Sequence, residues 1–193
     1  EIGDSRFNQI AKLAKPYGIQ DEVLDRLKIW AAASIISQPP QSKDPHRTEL
    51  TLLDRELEKS ARQMRKTVVP LETMEEQLGV FDQMPTNLQI EFLDQTMKEH
   101  PNLDKEIERM SSHYLAGKTG WIFCDLELTL REVSAGLSAL MTDTLIRDRN
   151  QIQAIPTIQK GTSFIAVGAL HLPGKEGILS LLRAQGYQVQ RKY

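Results

Sequence analysis

Residues 161–190 read GTSFIAVGALHLPGKEGILSLLRAQGYQVQ, and most of what can be expected of the fold follows from them. Ser163 to Val167 is an apolar run too short for a helix and bounded by glycines, which predicts a buried strand. Gly168 lets the backbone turn sharply where that strand ends. His171 follows on the turn, at the rim of a sheet, where open α/β folds place ligands. Pro173 and Gly174 break the chain again. Ile178, Leu181 and Leu182 recur at helical spacing, and Gly186 supplies a left-handed stop. Tyr187 and Val189 alternate with Gln188 and Gln190, as in a second, half-exposed strand. The plainer alternative for His171 is a loop histidine with no task.

The segment Gly168-Ala-Leu-His171-Leu-Pro-Gly174, continued by Gly177-Ile-Leu and Leu182-Arg-Ala-Gln-Gly-Tyr-Gln-Val189, resembles the carboxyl-terminal signature of the TraB/PrgY/GumN family. The Tiki membrane proteases are similar to that family. Its members carry two G-x-x-H motifs, each at a strand end, whose histidines are thought to share a metal. The present motif resembles the second. Leu71-Glu-Thr-Met-Glu-Glu-Gln-Leu78 is similar to the family's LET-x-E-Q segment, and Arg149-Asn150 to an Arg-Asn pair before its last strand. Residues 24–40, which hold Leu27-Lys-Ile-Trp30 and Gln38-Pro-Pro40, resemble the middle of gammaproteobacterial members.

At 193 residues one domain is expected, large enough for a sizeable core. A charged fraction of 26% and hydrophobic fraction of 40% are those of an ordinary globular chain. The net charge of -2 offers no bulk attraction to nucleic acid or anionic membrane. Cys124 is the single cysteine, so no disulfide framework exists within the chain. No run is apolar and long enough to span a bilayer. There is no Walker loop, H-E-x-x-H, G-x-S-x-G or dinucleotide fingerprint.

Gly168 is the one glycine followed three residues later by histidine. Against the family pattern, the chain reads as about the last two-thirds of a longer protein, judged by typical domain sizes. The longer protein has room for an export signal and a bacterial cell-envelope or periplasmic location. Missing first strands would bare a sheet edge, so a dimer or strand-swapped assembly is expected.

Taken in order, residues 4–15 suggest a first helix ended by Pro16 and Gly18. Asp21 is expected to cap a second helix, with Val23, Leu24, Leu27, Trp30, Ala31, Ser34 and Ile35 as its buried stripe. Trp30 reads as a packing anchor rather than a ligand contact. Residues 38–46 suggest a loop. Residues 48–66 predict an amphipathic helix, with Leu50, Leu53, Leu57, Ala61 and Met64 on one face. Residues 67–71 suggest a short strand that is at an edge, bulged, or ending at Pro70. Thr73 with Glu76, and Thr86 with Gln89, are two expected capping boxes. His100 and His113 read as terminal or surface residues. Residues 121–136 fit strand or helix, with the helical context favouring helix. Residues 137–159 predict a helix kinked or ended by Pro156.

Glu72 then stands at a strand-to-helix junction. It either serves a site or only meets the dipole of the helix behind it. Arg149 and Asn150 are either a solvated cluster or face the same site, which the resemblance favours. The expected fold class is α/β: mostly helical with a small sheet of three strands. The resemblance implies a metal-dependent hydrolase of peptidase type, using a divalent metal ion of unspecified identity. His171 would ligate the metal, Glu72 would be a general base or a carboxylate behind the ligands, Arg149 would hold a carboxylate bidentately, and Asn150 would orient a ligand or water. A second histidine would come from the remainder of the longer protein, so this chain alone is expected to bind metal poorly and to be inactive. The rival is a non-catalytic module that sequesters a peptide signal.

Overall fold

The computed structural model describes residues 2–40, 53–158 and 162–192. Helix α1 covers Gly3–Ala14 and runs into a single 3-10 turn, Lys15–Tyr17, stopped by Gly18 at φ 76°. A one-turn α2, Asp21–Leu24, precedes α3, Ile29–Ile36. Helix α4 is Leu53–Gln63, α5 is Met74–Asp82, and α6 is Thr86–Glu99. Helix α7, Leu103–Leu115, and α8, Thr119–Thr129, form an antiparallel hairpin. Arg109 meets Asp125 across it at 3.4 Å, and the His113 and Trp121 rings stack with centroids 6.1 Å apart.

A continuous helical rod spans 135–158. It opens as α9, Ala135–Ala139, widens into π-helical segments Leu140–Asp148 and Asn150–Ala154, and closes as α10, Ile155–Ile158. Bonds reaching five residues back are rare and recur at functional positions. Helix α11, Ile178–Ala184, ends the described structure, with Gly186 at φ 87° as its left-handed stop.

No strand occurs among the described residues, so the fold is mainly helical and the expected α/β class with a small sheet is corrected. Residues 67–71, 163–167 and 187–190 are irregular. Their β-prone side chains are real, but a strand exists only when a second chain segment shares its backbone hydrogen bonds, and among the described residues none pairs with them. The alternation still shows at 163–167: Ile165 and Val167 are half-buried, while Phe164 is 81% exposed.

The larger core joins α1, α2, α3 and α6 through Ile10, Ala14, Leu24, Ala33, Ile36 and Leu93. The expected single helix from Asp21 breaks after Leu24, which shifts the phase of everything behind it. Ala32, Ala33 and Ile36 therefore face inward in place of Ala31, Ser34 and Ile35, and Val23 is 52% exposed. Asp21 is the first residue of its turn rather than the cap, and Gln20 precedes it without a side-chain bond. Trp30 packs as expected: it stacks on Phe81 with centroids 5.5 Å apart, and its Nε1 donates to Asp82 at 2.7 Å.

Thr86 is likewise not a cap. Pro85 precedes α6, and Gln89 instead donates to the Met84 carbonyl at 2.8 Å and accepts the Trp30 N–H at 3.3 Å. Positions 41–46 of the expected loop and 48–52 of the expected amphipathic helix, Leu50 included, lie outside the described residues. A smaller apolar cluster of Ala154, Ile155 and Ile178 seats α11 on the end of the rod, with Val167, Leu181 and Leu182 against it. No described helix is long and apolar enough to cross a membrane.

Candidate functional site

Glu72 lies in the bend just before α5. The bend is held by the capping box expected from the sequence. Thr73 Oγ1 accepts the Glu76 N–H at 3.1 Å, and Glu76 Oε2 accepts the Thr73 N–H at 2.7 Å. The Glu72 carboxylate reaches the rod, where its Oε1 is 3.3 Å from Arg149 Nη1. Arg149 Nη2 donates to the Gln77 carbonyl at 3.3 Å. The guanidinium fork is thus divided between a carboxylate and a backbone oxygen. The pair is 14% and 21% exposed, the least of any ion pair among the described residues, so solvent and salt screen it least.

The next residue of the rod is buried. Asn150 is 1% exposed and is the buried polar side chain of the described residues. Its Nδ2 donates to the His171 carbonyl at 3.2 Å and to the Glu176 carbonyl at 2.8 Å. Its Oδ1 lies 2.8 Å from His171 Nδ1. One amide therefore grips both ends of the 171–176 loop and the imidazole at its start.

Local sequence explains that loop. His171 closes a single 3-10 turn, Ala169–His171, by donating its N–H to the Gly168 carbonyl at 3.0 Å. Gly174 adopts φ 85°, and a Cβ there would lie 2.7 Å from the Phe123 ring of α8. At Gly177 a Cβ would fall 2.0 Å from the Pro173 carbonyl oxygen, so only glycine fits. Ser180 Oγ donates to the Gly174 carbonyl at 2.7 Å. Gly168 departs from expectation. Its φ of −56° suits any residue, and a Cβ there would meet only His171 Cδ2, at an ordinary 3.6 Å. The required glycines are those after the histidine, and Gly177, Ser180 and Phe123 went unread as supports of the site.

Burial pushes the His171 imidazole below the ordinary histidine range, the Arg149 charge pushes it further down, and Glu72 opposes both. The ring is therefore neutral near pH 7, with one nitrogen lone pair to offer. His100 and His113 stand apart from it, against Tyr17 and Trp121 respectively. The four residues singled out in the sequence thus form two contacts held by adjacent positions of the rod: Glu72 pairs with Arg149, and Asn150 bonds His171.

Neither of two large grooves is lined by these four residues. The first, of ≈ 670 Å³, runs between the same two elements, α5 and the rod, and carries Glu75, Glu76, Asp143, Arg147 and Asp148. Among the described residues no three His, Cys, Asp or Glu side chains are placed to hold one metal ion. The site offers one imidazole nitrogen and a carboxylate already engaged by Arg149. A catalytic zinc takes three protein ligands, so these residues do not fit a metal by themselves.

The model of the TraB/PrgY/gumN family matches residues 1–191, and the chain belongs to that family. Among its relatives is "Uncharacterized protein YbaP" of Escherichia coli (strain K12), 25% identical over 187 residues, which cover 94% of this chain and 66% of that protein. The protein of the same name from Shigella flexneri matches equally. The chain therefore spans just under two thirds of the length of these curated relatives. No solved structure matches it.

Proposed function

We propose that Glu72, Arg149, Asn150 and His171 are this chain's share of the working centre of a peptidase-like hydrolase. The observation that carries the reading is their convergence from three stretches of sequence onto one buried amide and one ion pair. Hydrolysis needs a group that takes a proton from the attacking water. A neutral imidazole has a nitrogen lone pair free to take it. Arg149, held between Glu72 and the Gln77 carbonyl, would be the cation nearest to hand for negative charge developing on a substrate carbonyl. Toward a metal, the described residues supply one nitrogen donor.

The test is a defined peptide pool incubated with the full-length natural protein and with this chain, followed by mass spectrometry. Cleavage that His171→Ala and Glu72→Gln both abolish supports the proposal. No cleavage by the full-length protein, with or without added divalent metal, overturns it.

A second reading has its own observation. The open groove between α5 and the rod is lined by four carboxylates and Arg147, a surface suited to a basic peptide. Peptide bound intact, with affinity indifferent to a chelator, would favour a sequestering module over a hydrolase.

A further inference from the structure

The amide of Asn150 can adopt only one orientation. Carbonyl oxygens accept hydrogen bonds and never donate, so the atom facing the His171 and Glu176 carbonyls must be the amide nitrogen. A flipped amide would set Oδ1 against two carbonyl oxygens, the nearer at 2.8 Å. With the nitrogen so placed, the atom facing His171 Nδ1 is Oδ1, which also only accepts. The 2.8 Å contact is a hydrogen bond only if Nδ1 carries the proton.

We infer that Asn150 is a positioning residue that locks His171 in the Nδ1–H tautomer and presents Nε2, with its lone pair, to the site. The inference rests on reading His171 as the working imidazole. It goes beyond that reading by naming the nitrogen that works and the group that selects it. Among the described residues no hydrogen bond engages Nε2. A carboxamide is chemically required for this. Aspartate would accept from Nδ1 but could not donate to the two loop carbonyls, and serine would be too short to reach three partners. The same side chain that sets the tautomer closes the 171–176 loop, so ring orientation and loop shape are set together.

The test is two-bond nitrogen–proton NMR of the histidine rings on this chain, at a pH where imidazole is neutral. His171 is assigned by its loss in His171→Gln. The expected wild-type pattern is a pyrrole-type Nδ1 and a pyridine-type Nε2. A pyrrole-type Nε2 in the wild type overturns the inference, and needs no variant to do so. In folded Asn150→Ala the pattern is expected to move toward the Nε2–H tautomer that free histidine prefers. An unchanged Nδ1–H pattern there would mean another group chooses the tautomer, and would also overturn it. Neither result depends on turnover. Failure of the hydrolase reading leaves the tautomer measurable, and failure of the tautomer leaves peptide cleavage to be judged separately.

Discussion

Arg149 on the rod and Glu72 on the bend before α5 form an ion pair at 3.3 Å, largely shielded from solvent. The contact ties the amino end of α5 to the rod. Arg149→Ala would leave the carboxylate half-buried and is expected to cost about 1–2 kcal/mol, between an exposed and a buried pair. In a double-mutant cycle with Glu72→Ala, urea unfolding should show a coupling of about 1 kcal/mol. Strict additivity would mean the two side chains do not depend on each other.

Stability should fall in acid through His171. Its folded pKa lies below the unfolded value of 6.5, because burial and Arg149 both disfavour the cation. Well above 6.5 the ring is neutral in both states and its contribution is fully present. As pH falls below 6.5 the unfolded chain takes the proton first, and stability is lost until the folded pKa is passed. The midpoint of urea unfolding, followed from pH 8 to pH 5, should drop less steeply in His171→Gln than in the wild type. Equal slopes would remove His171 from the acid response.

The glycines around the histidine should respond in the reverse of their prominence in the motif. Gly168→Ala meets an ordinary contact at a permitted φ, so its effect is expected to stay within about 1 kcal/mol. Gly177→Ala forces a carbon to 2.0 Å from a backbone oxygen. It should cost about 1–3 kcal/mol or more and disturb the His171 resonances. Thermal unfolding of the two variants side by side gives the comparison, and an equal loss in both would contradict it.

Thr73→Ala removes the cap of α5, whose hydroxyl accepts a backbone N–H at 3.1 Å. A loss of about 1 kcal/mol is expected, typical of a missing N-cap. Because Glu72 is the preceding residue, its pairing with Arg149 should loosen as well. The coupling in the double-mutant cycle is then expected to shrink in a Thr73→Ala background.

What could be read in the sequence was whatever is encoded locally. The Thr73–Glu76 box and the Gly186 stop depend on residues three or four apart, and both are present. The second box is absent because Pro85 takes the cap position, and Gln89 bonds nearby Met84 and distant Trp30 instead. The break after Leu24 carries no glycine or proline, so nothing marked the change of phase across α2 and α3. Strand propensity at 163–167 describes side chains, whereas a strand is a property of two segments. Arg149 and Asn150 are adjacent yet take different partners, Glu72 and the His171 loop. Helical periodicity could not single them out, and the family resemblance did.

The two apolar clusters differ in size, and the imidazole-bearing loop is seated on the smaller. Ala154, Ile155 and Ile178 anchor it, while the larger cluster lies among α1, α2, α3 and α6. Cooperative units of unequal depth open separately. Amide hydrogen exchange is therefore expected to be faster around α11 than in the amino-terminal bundle. Each such opening would release the ring and the carbonyls together, because a single amide holds them, making the histidine an all-or-none element rather than a gradually mobile one.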